Sequence, residues 1–245
     1  MHTTDATGKS KCHKIHVGCK NLVCPELLVH GTPMKQVSED TYLGDVIRYD
    51  GKNTSSLKNR VSRGIGSSSQ ILNILETVSF GKRYFRIAIC LREAKFLGSI
   101  LTNMEVWYGV SDSEIEELEL LDRVLLRHIL GLPRSTPTEF LYLETGCLNI
   151  GTILKMRRLN YLQYLLQSDE DKMLNKFFRT QASFPVKDDW ILRVNQDLED
   201  FNISNNFEWI KSQSKNKFKR LVKKQARDYA LNLFTSMKNI QSWTI

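Results

Sequence analysis

Between Ser111 and Gly146 the chain reads SDSEIEELELLDRVLLRHILGLPRSTPTEFLYLETG, and no other stretch limits the fold as tightly. Ser111 and Glu114 form an S-x-x-E capping box, in which each side chain satisfies a free backbone N–H at a helix start. Asp112, Glu114, Glu116, Glu117 and Glu119 crowd the early turns, and Arg123, Arg127 and His128 the last, which suits the helix dipole. Gly131 and then Pro133 stop the helix. Ile115, Leu118, Leu121, Leu125, Leu126 and Ile129 share one face at about 100° per residue. Thr136-Pro137-Thr138-Glu139 reads as a second capping box, with Pro137 at the first helical position. That shorter helix runs to about Thr145 and stops at Gly146. Such a stretch is a scaffold for a helical bundle and carries no chemistry of its own.

Asp122 sits in the middle of the apolar face of the first helix. A carboxylate buried there without a partner would be very costly. Further on, Asn149 can cap a helix from Ile150 to Gln167. Ile150, Ile153, Leu154, Tyr161, Tyr164 and Leu165 share a face with Arg157 at its centre, and Leu159, Leu162 and Leu166 make a second stripe. The second stripe makes this helix central in the bundle. If the two faces meet, an Asp122–Arg157 ion pair solves both problems, and this is the expected arrangement.

The other segments are placed around this centre. Residues 1–11 look like an unstructured lead-in. Lys14 to Val17, Leu27 to His30, Met34 to Val37 and Tyr42 to Ile47 read as short strands, and Tyr49 to Asn53 as a turn. After Asn53 the period changes to 3.6. A helix starting at Thr54 or Ser55 carries Leu57, Val61 and Ile65 on one face, with Gly64 and Gly66 weakening its end. Gln70 to Val78 reads as a second helix, and Lys82 to about Tyr108 as a long one that Gly98 weakens. Lys172 to Gln181, Asp188 to Asp200 and Ser214 to Lys238 add further helices around a Pro185 linker. The fold class expected is therefore mainly α. A small β element covers residues 1–53, a helical bundle 54–168, and a more loosely attached, basic helical extension 169–245.

Thirty-five Lys and Arg against 27 Asp and Glu give a net charge of +8. That favours an anionic partner, nucleic acid before a membrane surface. No apolar run approaches the roughly 20 residues of a membrane span. The opening MHTTDATGKSKCHK has no apolar signal core, which argues against secretion and for an intracellular protein, nuclear or cytoplasmic. Five cysteines, an odd number, argue against a disulfide framework.

Lys11-Cys12, Tyr42-Leu43-Gly44, Glu105-Val106-Trp107-Tyr108, the run LLRHILGLPRSTPTEFLYLETGCLNI, Arg157-Arg158-Leu159 and Tyr161-Leu162 form an ordered series over about 150 residues. From Lys11 to about Leu166 the chain thereby resembles the C-terminal part of reverse transcriptases of non-LTR (LINE-like) retrotransposons. The match thins after Asp189-Trp190. The resemblance implies the end of a palm, a primer grip and a thumb. It makes Lys11 the lysine that helps place or protonate the leaving pyrophosphate. It makes Tyr42-Leu43-Gly44 the primer-grip hairpin, and the helices from Ser55 onward the thumb that rides on an RNA or RNA–DNA template–primer duplex.

Nucleotidyl transfer in that family uses paired aspartates holding two Mg²⁺ ions about 4 Å apart. They lie on a turn shortly before the Lys11 element, which this chain begins too late to include, and the fingers are missing too. Asp188-Asp189 is the only Asp-Asp pair, and it reads as a helix N-terminal acidic pair. The chain alone is therefore expected to be inactive, to hold no cofactor and to contribute template–primer binding. The alternative is a non-catalytic helical module that binds RNA or protein, derived from such an element.

Candidate contacts come from the charge pattern. In the helix from Ser214, Phe218, Leu221, Val222, Tyr229 and Leu233 share one face, and Lys217, Lys219, Arg220, Lys223, Lys224 and Arg227 the other. No acidic residue lies between Ile210 and Gln225. Lys58, Arg60 and Arg63 form a shorter cluster that the thumb resemblance places near a duplex. Cys12, His13, His16, Cys19, Cys24 and His30 match no standard zinc spacing and read as an ordinary sheet edge, so no metal is assigned. Trp107-Tyr108 could stack on a base, but beside Val106 and Val110 at a helix junction they read as core packing.

Overall fold

The structure is a computed structural model that describes residues 2–4, 10–15, 26–29, 32–42, 44–78, 81–186 and 189–240. It is mostly helical, with a small N-terminal β element followed by a helical bundle. The chain divides into two compact units, one of Met1–Asn59 with Tyr108–Val110 and the other of Arg60–Trp107 with Ser111–Ile245.

In the first unit, β1 (His2–Thr4) pairs antiparallel with β2 (Ser10–Lys14), which runs parallel to β5 (Lys35–Gln36). The lead-in expected to be unstructured therefore contributes two strands. The strand expected at Lys14–Val17 begins earlier, at Ser10, and His16 and Val17 lie outside the described residues. β3 (Leu28–Val29) and β4 (Thr32–Pro33) make a second pair. The run from Tyr42 to Ile47 is not one strand. It is the corner of a hairpin between β6 (Glu39–Tyr42) and β7 (Asp45–Arg48), paired Tyr42↔Asp45. Gly44 has φ 90°, a conformation that a tight hairpin connection needs and that glycine adopts without a steric penalty.

Two serines in the first turn of α1 (Thr54–Glu76) fasten the hairpin. The Val46 N–H donates to Ser56 Oγ at 2.7 Å, and Ser56 Oγ donates to the Val46 carbonyl at 3.1 Å. Arg48 donates to Ser55 Oγ at 3.0 Å and to both Asp50 oxygens at 3.0 Å. The Arg48 guanidinium holds the Asp50 carboxyl down at about 2.

In the second unit α1 continues as one 23-residue helix, not two. Its buried line from Arg60 runs through Gly64, Ser67, Ile71 and Leu75, and Ile65, expected on the apolar face, is 54% exposed. The reason is steric. A Cβ on Gly64 would lie 2.9 Å from Leu121 Cδ1 and 3.1 Å from Ile100 Cγ2, so glycine there admits neighbouring side chains rather than ending the helix.

α2 (Lys82–Leu91) passes without a break through a π-helical segment (Arg92–Leu97) into α3 (Gly98–Ile100). Gly98 stays right-handed at φ −59°, and the helix ends before Asn103, which is left-handed at φ 59°. The rod expected to reach Tyr108 is therefore shorter. α4 (Asp112–Leu130) begins with the Ser111–Glu114 capping box and ends at a left-handed Gly131. The second capping box does not form: Pro137 is itself the N-cap of α5 (Thr138–Thr145) and no side chain caps it. Thr136 instead gives its carbonyl to Arg127 Nη2 at 2.9 Å.

α6 (Ile150–Gln167) is the central helix, with both stripes covered, except that Tyr164 is 52% exposed. α7 (Met173–Ser183), α8 (Trp190–Asp200), α9 (Phe207–Ser212) and α10 (Lys215–Ile240) come after it. Leu159, Leu162 and Leu165 share one hydrophobic core with Phe178, Trp190, Val194, Ile210, Phe218 and Val222. The looser attachment expected after residue 168 is thus replaced by a common core that crosses that position. Asp188 lies outside the described residues, while Asp189 is the N-cap of α8 and accepts from the Val186 N–H at 2.9 Å and from Gln181.

The Asp122–Arg157 pair does not exist. Asp122, fully buried, accepts from Arg92 Nε and Nη2, both at 2.6 Å, and from the Tyr142 hydroxyl at 3.2 Å. Arg92 also donates to the Leu148 carbonyl at 3.0 Å. Burial works against the Arg92 charge, yet Asp122 outweighs it and holds the guanidinium above its usual range. Burial, and then Asp122, push the Tyr142 hydroxyl up. Arg157 instead donates to the Leu101 carbonyl at 2.7 Å and lies 3.9 Å from Glu105. Its neighbour Arg158 is the buried one, pairing with Asp197 of α8 through Nε at 2.6 Å and Nη2 at 2.9 Å. One position along a helix turns a side chain by about 100°, enough to exchange the core for its edge.

Candidate nucleic-acid interface

α10 is held by one side and bare on the other. Phe218, Val222, Ala226, Ala230 and Phe234 are buried at intervals of four. Phe234 stacks on Tyr142 with ring centres 5.1 Å apart, and Lys155 Nζ lies 5.0 Å over the Tyr229 ring. Lys155 also pairs with Asp200 of α8, and α8 is tied to α6 by the Arg158–Asp197 pair. Burial disfavours the Lys155 ammonium, but Asp200, Tyr229 and Asp197 together hold it above its usual range. These contacts leave the helix little freedom to rotate about its axis.

On the far side Lys217, Lys219, Arg220, Lys223, Lys224 and Arg227 are all exposed. None of the six makes an ion pair with any described residue. Elsewhere some cations are paired, Arg48 with Asp50, Arg123 with Glu116, Arg179 with Glu170 and Arg193 with Asp112, while others such as Lys58, Arg63, Arg83 and Arg86 make no ion pair among the described residues either. Asp228, one turn beyond Lys224, is the one acidic residue of α10, and six cations gathered around a single carboxylate keep most of their field for a solvent-borne anion.

No protein-family model, curated protein or solved structure matches the chain. The interface therefore rests on geometry and on the residues themselves.

The other expected contacts divide. Lys58 and Arg63 are exposed on α1. Arg60 is not a surface residue: it is 1% exposed and donates to the Thr102 carbonyl at 2.6 Å. Its guanidinium lies 5.6 Å over the Trp107 ring, which leaves that ring packed rather than offered to a base. Tyr108 is 49% exposed, and its carbonyl accepts from Asn53 Nδ2 at 2.6 Å. Tyr42 and Gly44 lie at the hairpin corner, Tyr42 47% exposed, and Leu43 falls outside the described residues. Lys11 lies on β2, but its side chain is outside the described residues, as are those of Cys12 and His13. His16, Cys19, Cys24 and His30 fall outside them altogether. Among the described residues no three His, Cys, Asp or Glu side chains gather in a way that could hold a metal ion. No helix among them is long and apolar enough to cross a membrane.

Sequence reasoning missed the carboxylate at the start of α6. Glu119 Oε1 of α4 accepts from the Gly151 N–H at 2.8 Å and from Asn149 Nδ2 at 2.9 Å, so it caps α6 from another helix. Burial raises its pKa, and the Gly151 N–H only partly offsets this. Asn149, the expected cap, occupies the cap position without making the cap bond.

Proposed function

We propose that the chain binds nucleic acid through the outward face of α10, as the C-terminal section of a reverse transcriptase of the non-LTR type. One observation carries the binding claim: six exposed cations on one helix with no ion-pair partner among the described residues. The polymerase assignment draws its support from the ordered residue series from Lys11 to Leu166. The β6–β7 hairpin with Tyr42 and Gly44 at its corner, followed by a helical bundle, is compatible with a primer grip and thumb. In that reading the complete enzyme carries out RNA-templated DNA synthesis with Mg²⁺ held by carboxylates outside this chain. The chain itself positions the template–primer duplex against the missing palm and fingers.

The test is fluorescence anisotropy of a labelled RNA–DNA hybrid with the full chain across salt concentrations. Six phosphate contacts on a duplex give a slope of log K against log salt near −5, at about −0.9 per contact. A flat response, or no binding at about 50 mM salt, refutes the reading.

A further inference from the structure

α7 carries most of its apolar residues outward. Met173, Phe177, Phe184 and, just past the helix, Val186 are 70%, 67%, 77% and 63% exposed, and they are the four most exposed large apolar side chains among the described residues. The helix is turned this way by its anchors. Asn175 is buried, donates to the Leu165 carbonyl at 3.1 Å and the Ser168 carbonyl at 3.0 Å, and accepts from Arg179 Nε at 2.8 Å. Phe178 is buried with its ring centre 6.4 Å from that of Trp190 and 6.1 Å from that of Phe207. With Asn175, Phe178 and Ala182 inward, about 100° per residue brings Met173, Phe177, Thr180 and Phe184 together on the opposite side.

We infer that this stripe is the contact between two copies of the chain, with the two α7 helices packed antiparallel about a two-fold axis. Successive members are four, three and four residues apart, the spacing of a coiled-coil seam. In a two-fold contact each residue meets one equally far from the axis on the other side. Met173 then lies against Phe184 of the second copy, and Phe177 against Thr180 of the second copy. A thioether on an aromatic ring is a favourable contact, and the small Thr180 leaves room for the Phe177 ring. Parallel pairing would instead bring Lys172 and Lys176 towards their own counterparts and set the two helix dipoles side by side in the same sense.

Area and charge both favour a second copy as the occupant. Large aromatic side chains bury roughly 150–250 Å² each. At their fractional exposures the four residues, with Leu174 beside them, leave on the order of 600 Å² of apolar surface in water, at the upper end of what a monomer shows. Two copies closing over it remove about 1,200 Å², the lower end of specific interfaces. The cations next to the stripe are already compensated within their own copy, Arg179 by Glu170 and Lys176 by Asp171 at 3.8 Å. Like faces therefore meet without adding an unpaired charge to the contact.

The experiment is sedimentation velocity of the full chain, free of nucleic acid, over concentrations from about 1 to 100 μM. A reversible dimer with a Kd in the micromolar range is expected from an interface of this size. Its Kd should change by less than about threefold between roughly 50 and 500 mM salt, because salt screens charges and not apolar burial. F177E should weaken the dimer at least about thirtyfold, as the loss of a central side chain does. Mixing F177E with T180K should restore pairing, because the antiparallel register brings the two changed positions together. Circular dichroism establishes that each variant is folded. A chain that stays monomeric at about 100 μM overturns the pairing and leaves α7 to a partner of another kind. A dimer that F177E leaves intact places the contact elsewhere and also overturns it. Failure of the F177E and T180K mixture to pair overturns the antiparallel register.

Discussion

Replacing Asp122 by Ala tests the architecture of the bundle most directly. The substitution leaves the Arg92 guanidinium, 1% exposed, with the Leu148 carbonyl alone, and leaves the Tyr142 hydroxyl without its acceptor. Removing one member of a buried ion pair costs about 3–5 kcal/mol, because the remaining charge stays desolvated and uncompensated. Total stabilities run to about 5–15 kcal/mol, so the loss is a large fraction of the whole. For a domain of this size it lowers the midpoint of thermal unfolding by roughly 6–20 °C. The measurement is urea and thermal unfolding followed by far-UV circular dichroism for D122A, R92M and R92M/D122L. The double variant removes both charges and should recover most of what either single change loses. Single variants within about 1 kcal/mol of the parent would refute the reasoning. So would a double variant that loses the sum of the two.

Further outcomes are expected elsewhere. Gly64→Ala should destabilise by about 1 kcal/mol or more, because Ile100 Cγ2, on a fully buried β-branched side chain, cannot retreat from the new Cβ. Gly66→Ala, two residues on in the same helix with nothing within 4 Å, should stabilise by about 0.5–1 kcal/mol; urea midpoints separate the two. Arg60→Met should lower the urea midpoint yet leave the salt slope of duplex binding unchanged, since that guanidinium faces Thr102 and Trp107. Glu119 has its pKa raised by folding, so the native state holds a proton that the unfolded chain has released. Its contribution is therefore present below the ordinary glutamate range and lost as pH rises through the raised value. Glu119→Gln, whose Oε1 can still accept from Gly151 and Asn149, should flatten that fall in a series of thermal melts from pH 4 upward.

Local signals carried much of this fold, and contacts between distant elements carried the rest. The Ser111–Glu114 box and the left-handed Gly131 are local, so their residues suffice to place α4. The two stripes of α6 and the divided faces of α10 arise from periodicity, and burial matches them closely. The partner of Asp122 was not legible, because Arg92 sits in a π-helical segment where the 3.6 period no longer tells which residues share a side. Arg60 and Gly64 hid the buried line of α1 in the same way, a charge and a glycine standing where a pattern search seeks leucines. Asp197 could have been found. It lies between Val194 and Leu198 in the apolar stripe of α8, the same mid-stripe signal that singled out Asp122. The cap that Glu119 provides for α6 joins residues 32 positions apart, a distance no local motif spans. Within the basic face the residue types were legible at once. Their freedom from partners needed the positions of every nearby carboxylate.

The π-helical segment also makes the chain unequally tolerant of changes in length. Backbone bonds of the i→i+5 kind accommodate one residue more than an α-helix would use over the same rise. Deleting one of the exposed residues Glu93 to Lys95 would let the segment relax to ordinary winding while α2 and α3 keep their phase. Ala88 would stay in the core, and Arg92 would keep its side of the helix facing Asp122. A one-residue deletion there should therefore do less harm than one inside α4, where everything beyond it would turn by about 100°. The same deletion in the polar joint Ser168–Lys172, between α6 and α7, has no such lever to act on.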